Sequence, residues 1–333
     1  MERRTVLRAA AAVAAPWLVR ARARTRMRRV GWLIPWVDPG GPSPQVKAVW
    51  ERLGWTPETL QQKARFAAHH MERMPDLVDD LLRLENVELL LAFGEHAAAA
   101  AARATRTVPI VFFNAYLPVE CGLVDSYAKP GRNCTGTSWN TGPEVMAKRL
   151  EYLRAVAPSA TRLVNLGADT RNFTLSGEPL PEHALSAAFA AVRALGFDLV
   201  RLVVRRIEDV GPVLAEAIAA RAQVVSIGGE QFNGAVPLVV DTALRQRWIT
   251  ATNHRSLFDA GLLLYHGPSD ADFKYTFERG LQMADRILRG ARPADIPVEL
   301  PSRQEFALNL RAARALGLTL PQSLLLRADR VIE

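Results

Sequence analysis

Cysteine is nearly absent: Cys121 and Cys134 are the only two in 333 residues. Two thiols cannot build a cysteine-based zinc site. In an oxidising compartment they could pair, closing a short loop worth about 3 kcal/mol in the chain-entropy model. They could equally be two small buried apolar residues, and the sequence leaves both readings open. No apolar run reaches the ~18–20 residues that a bilayer-spanning helix needs. The chain also lacks a P-loop, a Gly-x-Gly-x-x-Gly turn, a Gly-x-Ser-x-Gly elbow and a His-Glu-x-x-His helix. Internal repeats are missing too. What remains is ordinary globular composition, 49% hydrophobic and 23% charged, at a length that suits two lobes better than one core.

The formal charge of +8, from 42 Lys+Arg against 34 Asp+Glu, is unevenly spread. Residues 1–23 hold five Arg and one Glu, and Arg24, Arg26, Arg28 and Arg29 follow at once, so the rest of the chain balances at 33 against 33. A high overall basicity would ordinarily suggest nucleic acid. Here it comes from a leader and a short basic tail, with no basic stripe interleaved with aromatics, and nucleic-acid binding is rejected. The leader pairs Arg3 with Arg4, continues through a mildly apolar stretch from Ala9 to Val19, and ends in Ala21-Arg22-Ala23. That pattern reads as a twin-arginine-like export signal over residues 1–23, rather than an Ala-rich amphipathic helix of the fold, because no apolar stripe runs through Arg20 and Arg22.

Apolar runs then alternate with helical patterns. Strands are expected at 29–36, 60–68, 87–93 and 108–113, with helices at 45–53 and 73–84 and another opening at 97–102. A short strand at 134–139, "CTGTSW", follows the Pro130-Gly131 turn. The pattern restarts with a helix at 142–156, and strands follow at 161–168, 198–204, 222–229, 248–252 and 261–267. Helices separate these strands at 182–195, 207–221 and 235–246. A long helix over 269–289, a late strand at 305–310 and a helix at 311–316 complete the chain. Near-continuous apolar strands separated by helices imply parallel sheets covered on both faces. The fold class is therefore α/β: two Rossmann-like lobes with parallel sheets, joined by a multi-strand hinge of which 134–139 is the first crossing.

From about Arg29 to Glu333 the chain resembles the substrate-binding proteins of ABC transporters, in the tryptophan/tyrosine-type family with a type I periplasmic-binding fold. The resemblance rests on ordered blocks: "RVGWLIP", "ERMPDLVDDLLRLENVELLLAFG", "PGRNCTGTS", "KRLEYLRAVAPSATRLVNL" and the long run from Asp259 to Glu333. It implies a two-lobed periplasmic receptor that closes on a small solute and delivers it to an ABC permease in the inner membrane, as a monomer and without a cofactor. Lobe one is expected at 24–138 plus 266–296, and lobe two at 139–265 plus 297–333.

Ligands of open parallel sheets bind at the carboxyl ends of the strands, and polar or aromatic residues stand at each such end. In lobe one these are Trp36 and Asp38, then Gly94, Glu95 and His96 at a helix N-terminus, then Asn114 and Tyr116. Trp139 and Asn140 occupy the crossing. In lobe two they are Asp169, Glu230, Gln231, Asn253 and Arg255. Arg255 is the expected carboxylate partner, since a guanidinium binds it bidentately, and Glu230 would complement an ammonium. Family members commonly carry Gly and Thr where this chain has Glu95 and His96, and an Asp where it has Leu117. The expected ligand is amino-acid-like or aromatic, in an orientation the family does not dictate.

Two other functional classes use the same residues. A ligand-sensing subunit for a membrane kinase would share the fold, and a cleft enzyme could draw on Glu95, His96 and His254 for acid/base work. The absent catalytic motifs weigh against the enzyme. His69 and His70 are adjacent in sequence, point to different faces of any regular element, and are read as solvated polar residues.

Overall fold

The computed structural model describes residues 26–40, 43–139, 142–301 and 303–333. The expected leader, residues 1–23, lies outside them. In lobe one, β1 (Arg28–Ile34), β2 (Leu60–Phe66), β3 (Leu89–Phe93), β4 (Ile110–Ala115) and β5 (Cys134–Ser138) form a five-stranded parallel sheet of order β2-β1-β3-β4-β5. The first helices are α1 (Pro44–Arg52), α2 (Met74–Arg83) and α3 (Gly94–Ala104). In α2 the sequence signals are plain. Pro75 sits in the first turn, Asp76 complements the N-terminal dipole, and Met74, Leu77, Val78 and Leu81 bury one face.

The second lobe opens with α4 (Gly142–Val156), β6 (Arg162–Ala168), α5 (Glu182–Ala194) and β7 (Asp198–Val204). Next come α6 (Val210–Ala219), β8 (Val224–Ile227), α7 (Val236–Arg245), β9 (Ile249–Thr252), α8 (Arg255–Asp259) and β10 (Leu264–Pro268). The chain then returns to lobe one for α9 (Asp270–Leu288), and ends in lobe two with β11 (Gln304–Asn309), α10 (Leu310–Leu316), α11 (Gln322–Leu325) and β12 (Arg330–Ile332). The second sheet runs β12-β11-β10-β9-β8-β6-β7. It is not wholly parallel: β10 and β11 pair antiparallel. The reason is topological. The chain leaves β10 at its carboxyl end, packs α9 on the other lobe, and re-enters at that same end, so β11 must run back.

Each sheet is covered on both faces. In lobe one, Trp32, Phe113 and Leu89 pack with Trp50 of α1 and Leu281 and Ile287 of α9. The opposite face packs Leu33, Leu90 and Phe112 with Leu77 and Leu81 of α2 and the alanines of α3. Burying one such large side chain is worth about 1.5–3 kcal/mol. Two glycines mark close approaches. A Cβ on Gly280 of α9 would lie 2.4 Å from the Phe113 ring, and one on Gly136 of β5 (φ +154) would lie 2.0 Å from the Phe112 carbonyl oxygen.

The expected lobe limits need correction at two places. All of β10, through Pro268, pairs inside the second sheet, so 266–268 do not belong to lobe one. Residues 298–299 stay with lobe one, where Glu299 bridges Thr137 and Val298 N–H donates to Tyr127 O at 2.8 Å. The chain crosses between Trp139 and α4, at Pro268–Ser269, and between Glu299 and β11. Ser269 caps α9 by accepting from Asp272 N–H at 3.0 Å, which places the second crossing directly at the helix start.

The lobes touch. The segment after β6 docks on lobe one: Phe173 and Leu180 join the core that contains Cys121 and Leu123. Leu175 N–H donates to Cys121 O at 2.8 Å. The Arg103 guanidinium donates to Arg171 O at 2.9 Å and also to Thr174 O.

Candidate ligand-binding cleft

The carboxyl ends of the parallel strands of both sheets face a cleft of about 190 Å³. Lobe one supplies Glu95 and Tyr116, the crossing supplies Trp139, and lobe two supplies Arg149, Glu230, Asn253 and His254, with Phe173 and Phe189 as apolar wall.

Glu95 reaches this position because β3 turns straight into α3 at Gly94, whose φ of +75 suits glycine. Its side chain is 13% exposed. Burial, then the Glu230 carboxylate, push its pKa up to about 7, while the backbone N–H groups of Glu95 and Tyr116 pull the other way. Two acids from opposite lobes therefore face one space. Glu230 also accepts from Asn233 Nδ2 at 3.0 Å. Burial pushes the Tyr116 phenol up to about 12, opposed by Arg149.

Arg149 is a cleft residue that strand-end reasoning misses. It projects from α4 and is 8% exposed. One guanidinium nitrogen donates to His266 O at 2.6 Å, and Nε has no partner among the described residues. Burial lowers its pKa to about 10, so it stays charged at neutral pH. The available signal was a basic residue directly before the buried pair Leu150 and Leu153, on the inward face of the helix that follows the crossing.

Other expected site residues lie elsewhere. Arg255 is not a free carboxylate partner: it binds Glu305 with two hydrogen bonds, at 3.0 and 2.6 Å, and lies 4.2 Å from the Tyr265 ring centroid. Asp169 is likewise committed, since Arg171 takes both its oxygens and holds the carboxyl below the usual range. Asn114 is buried and turned toward α9, where its Oδ1 accepts from Thr276 Oγ1 at 3.2 Å. His96 and Gln231 meet in the seam between the lobes, 3.5 Å apart, with the His96 ring edge-on to Phe173 at 4.6 Å. Burial lowers the pKa of His96 to about 3, so it is neutral. Asn140 lies outside the described residues.

Trp36 and Asp38 line a different cavity, of about 760 Å³, inside lobe one. Six of its fifteen lining residues are aromatic: Trp32, Trp36, Phe66, Phe93, Phe273 and Phe277. The rings of Trp36 and Phe93 meet edge-on at 4.5 Å. Gly94 separates Phe93, in this chamber, from Glu95, in the cleft. Nor do the cysteines pair. Both are free and buried; Cys121 donates to Tyr116 O at 3.3 Å, and burial pushes the Cys134 thiol up to about 12.

His254 Nε2 accepts from Gly229 N–H at 3.0 Å. That nitrogen carries no proton, because a backbone N–H can only donate. His96 thus sits in the seam and His254 holds a turn, while the Glu95 carboxyl lines the cleft.

Residues 76–332 match the family model described as ABC transporter substrate binding protein. The chain belongs to this family. Its members are extracytoplasmic solute-binding proteins rather than enzymes. A curated relative, the tyrosine-binding protein of Clostridioides difficile strain R20291, is 23% identical over 233 residues, 69% of this chain and 63% of the relative. The aligned region thus spans less than two thirds of that relative's length. Among solved structures, an ABC domain from Streptococcus pneumonia in complex with L-Trp has a TM-score of 0.74 at 19% identity, covering 92% of this chain and 100% of that one. The ligand-free, open substrate-binding protein CD0873 from Clostridium difficile has a TM-score of 0.57 at 20% identity, covering 92% and 99%.

Proposed function

We propose that this protein is the periplasmic solute receptor of an ABC import system, and that its ligand is a zwitterion of the amino-acid class with an aromatic or apolar side chain. The observation that carries this reading is the charge arrangement of the cleft. The buried Arg149 guanidinium keeps Nε without a partner among the described residues, while Glu95 and Glu230 supply negative charge from opposite lobes. A guanidinium matches a carboxylate, and two carboxylates match an ammonium. Tyr116, Trp139, Phe173 and Phe189 give the remainder of the ligand an apolar, partly aromatic wall. The relatives named for tyrosine and bound to L-Trp support the same class.

Ligand binding would work through closure, because the two acids share a space only when the lobes meet. The twin-arginine-like leader supports export to the periplasm, and the family supports an inner-membrane permease as partner to a monomeric receptor. The test is a thermal-shift and calorimetric screen of L-Trp, L-Tyr, L-Phe and branched amino acids, after unfolding and refolding to strip carried ligand. A ligand at a hundred times its Kd should stabilise by about 2.7 kcal/mol, several degrees in Tm. Response to the decarboxylated amine or the deaminated acid at the same strength as to the amino acid would overturn the zwitterion.

A further inference from the structure

Away from the cleft, at the solvent-facing rim where the lobes meet, three donors converge. His70 leads the turn Met71–Arg73 of lobe one, which carries Glu72. Glu208 belongs to the turn Ile207–Asp209 that opens α6 of lobe two. His70 Nδ1 is 3.1 Å from Glu72 Oε1 and 3.4 Å from Glu208 Oε1. One donor atom from each residue fits in a set with no pair more than 4.8 Å apart. Around a tetrahedral zinc ion with bonds of about 2.0–2.2 Å, ligand atoms lie roughly 3.4 Å from one another. Two edges of such a tetrahedron are therefore already near their required length, and the third needs only side-chain adjustment.

The surroundings favour a site over a chance meeting. The His69-His70 turn is seated against lobe two: a Cβ on Gly234 would lie 3.0 Å from His69 Cβ and 2.3 Å from Ile207 Cδ1. Gly234 thus lies close to both His69 of lobe one and Ile207 of lobe two, bringing the two donor-bearing turns side by side. The side chains remain open to solvent, at 35%, 45% and 56% exposure, which leaves an entry path and room for a fourth, water ligand. One imidazole with two carboxylates is a donor set for borderline divalent ions such as Zn²⁺, whereas Ca²⁺ and Mg²⁺ prefer oxygen alone.

We propose that His70, Glu72 and Glu208 form a transition-metal site, of the Zn²⁺ class, that clamps the two lobes together. Because one donor comes from the second lobe, the ion binds the closed arrangement better than an open one. It shifts the population toward closure by the ratio of those affinities.

The experiment uses Zn²⁺ alone. The purified protein, freed of metal, is titrated by calorimetry in a non-chelating buffer, and its radius of gyration is followed by small-angle scattering. One ion per chain is expected, with a smaller radius when it is bound. His70→Ala and Glu208→Gln, both at exposed side chains, should each weaken binding at least tenfold while melting as the parent does. Failure to bind Zn²⁺ overturns the site. Binding that persists within twofold in Glu208→Gln overturns the clamp, because the ion would then sit on lobe one only. Binding without a change in radius does the same.

Discussion

The cleft and the aromatic chamber adjoin each other, yet they are built in opposite ways. The cleft takes charged residues from both lobes and is small; the chamber takes aromatic residues from lobe one and is about four times larger, 760 against 190 Å³. Only a thin wall divides them. Phe93 and Glu95 flank Gly94 on either side of it, and the rings of Trp139 in the cleft and Phe273 in the chamber are 6.1 Å apart. The difference separates two properties that a receptor must combine. A cavity walled by one lobe persists whether the lobes open or close, so whatever fills it cannot by itself drive closure. The cleft acquires its walls when the lobes meet, so binding there is coupled to the motion.

The largest expected effect therefore comes from the charged cleft. Arg149→Ala should weaken the zwitterionic ligand by on the order of 100-fold or more, since removing one partner of a desolvated charge pair costs about 2–5 kcal/mol. Calorimetric titration of parent and variant reads it directly. Arg255→Ala is the matched control: its guanidinium is bound to Glu305, so its loss should lower Tm and leave ligand affinity within about twofold. If the two variants exchange these behaviours, Arg255 rather than Arg149 holds the ligand carboxylate.

Next in size is a pH effect. Glu95 has a folded pKa of about 7, raised first by burial and then by Glu230, above the ordinary value of 4.5. The folded state thus holds its proton more tightly than the unfolded chain. Its contribution to stability is fully present below about pH 4.5 and is lost as pH rises toward 7, levelling above it. Between pH 5 and pH 8 the parent should lose on the order of 2 kcal/mol that Glu95→Gln does not lose. Urea midpoints at the two pH values measure the difference. An equal loss in both proteins would show that the acid is solvated and that the lobes do not press the two carboxylates together. A bound ammonium should pull the Glu95 pKa down, so the ligand complex should show less of this loss.

How much of this was legible in the sequence depends on distance along the chain. The helix at 142–156 and the strand at 198–204 match the structure residue for residue, because periodicity and breakers such as Gly196 are local signals. Strands at the edges of patterns were overdrawn: 222–229 shrinks to Val224–Ile227, where pairing with β6 and β9 stops. The antiparallel β11 was invisible because its direction follows from where the chain re-enters the second lobe. Site residues divide in the same way. Strand-end position found Glu95, Tyr116, Trp139, Glu230 and Asn253, all of which line the cleft. It could not see that Arg255 would meet Glu305, fifty residues later, or that Asp169 would be neutralised by Arg171 and Arg205. Arg149 was passed over because it stands mid-helix, and only the tertiary fold turns that helix face toward the strand ends.

The smallest expected effect tests the wall between the two cavities. Trp36 is a candidate ligand-binding residue from its strand-end position, but its ring packs edge-on against Phe93 and lines the chamber. Trp36→Ala removes a half-buried ring and one aromatic pair, which should cost about 1–2 kcal/mol of stability. It removes nothing from the cleft, so ligand affinity should stay within about twofold. Tm and calorimetric Kd, measured on the same preparation, separate the two consequences. A tenfold loss of affinity at unchanged Tm would mean that the ligand's ring passes the wall into the chamber. The two cavities would then be one site, with the zwitterion held by Arg149, Glu95 and Glu230 and the side chain housed in lobe one.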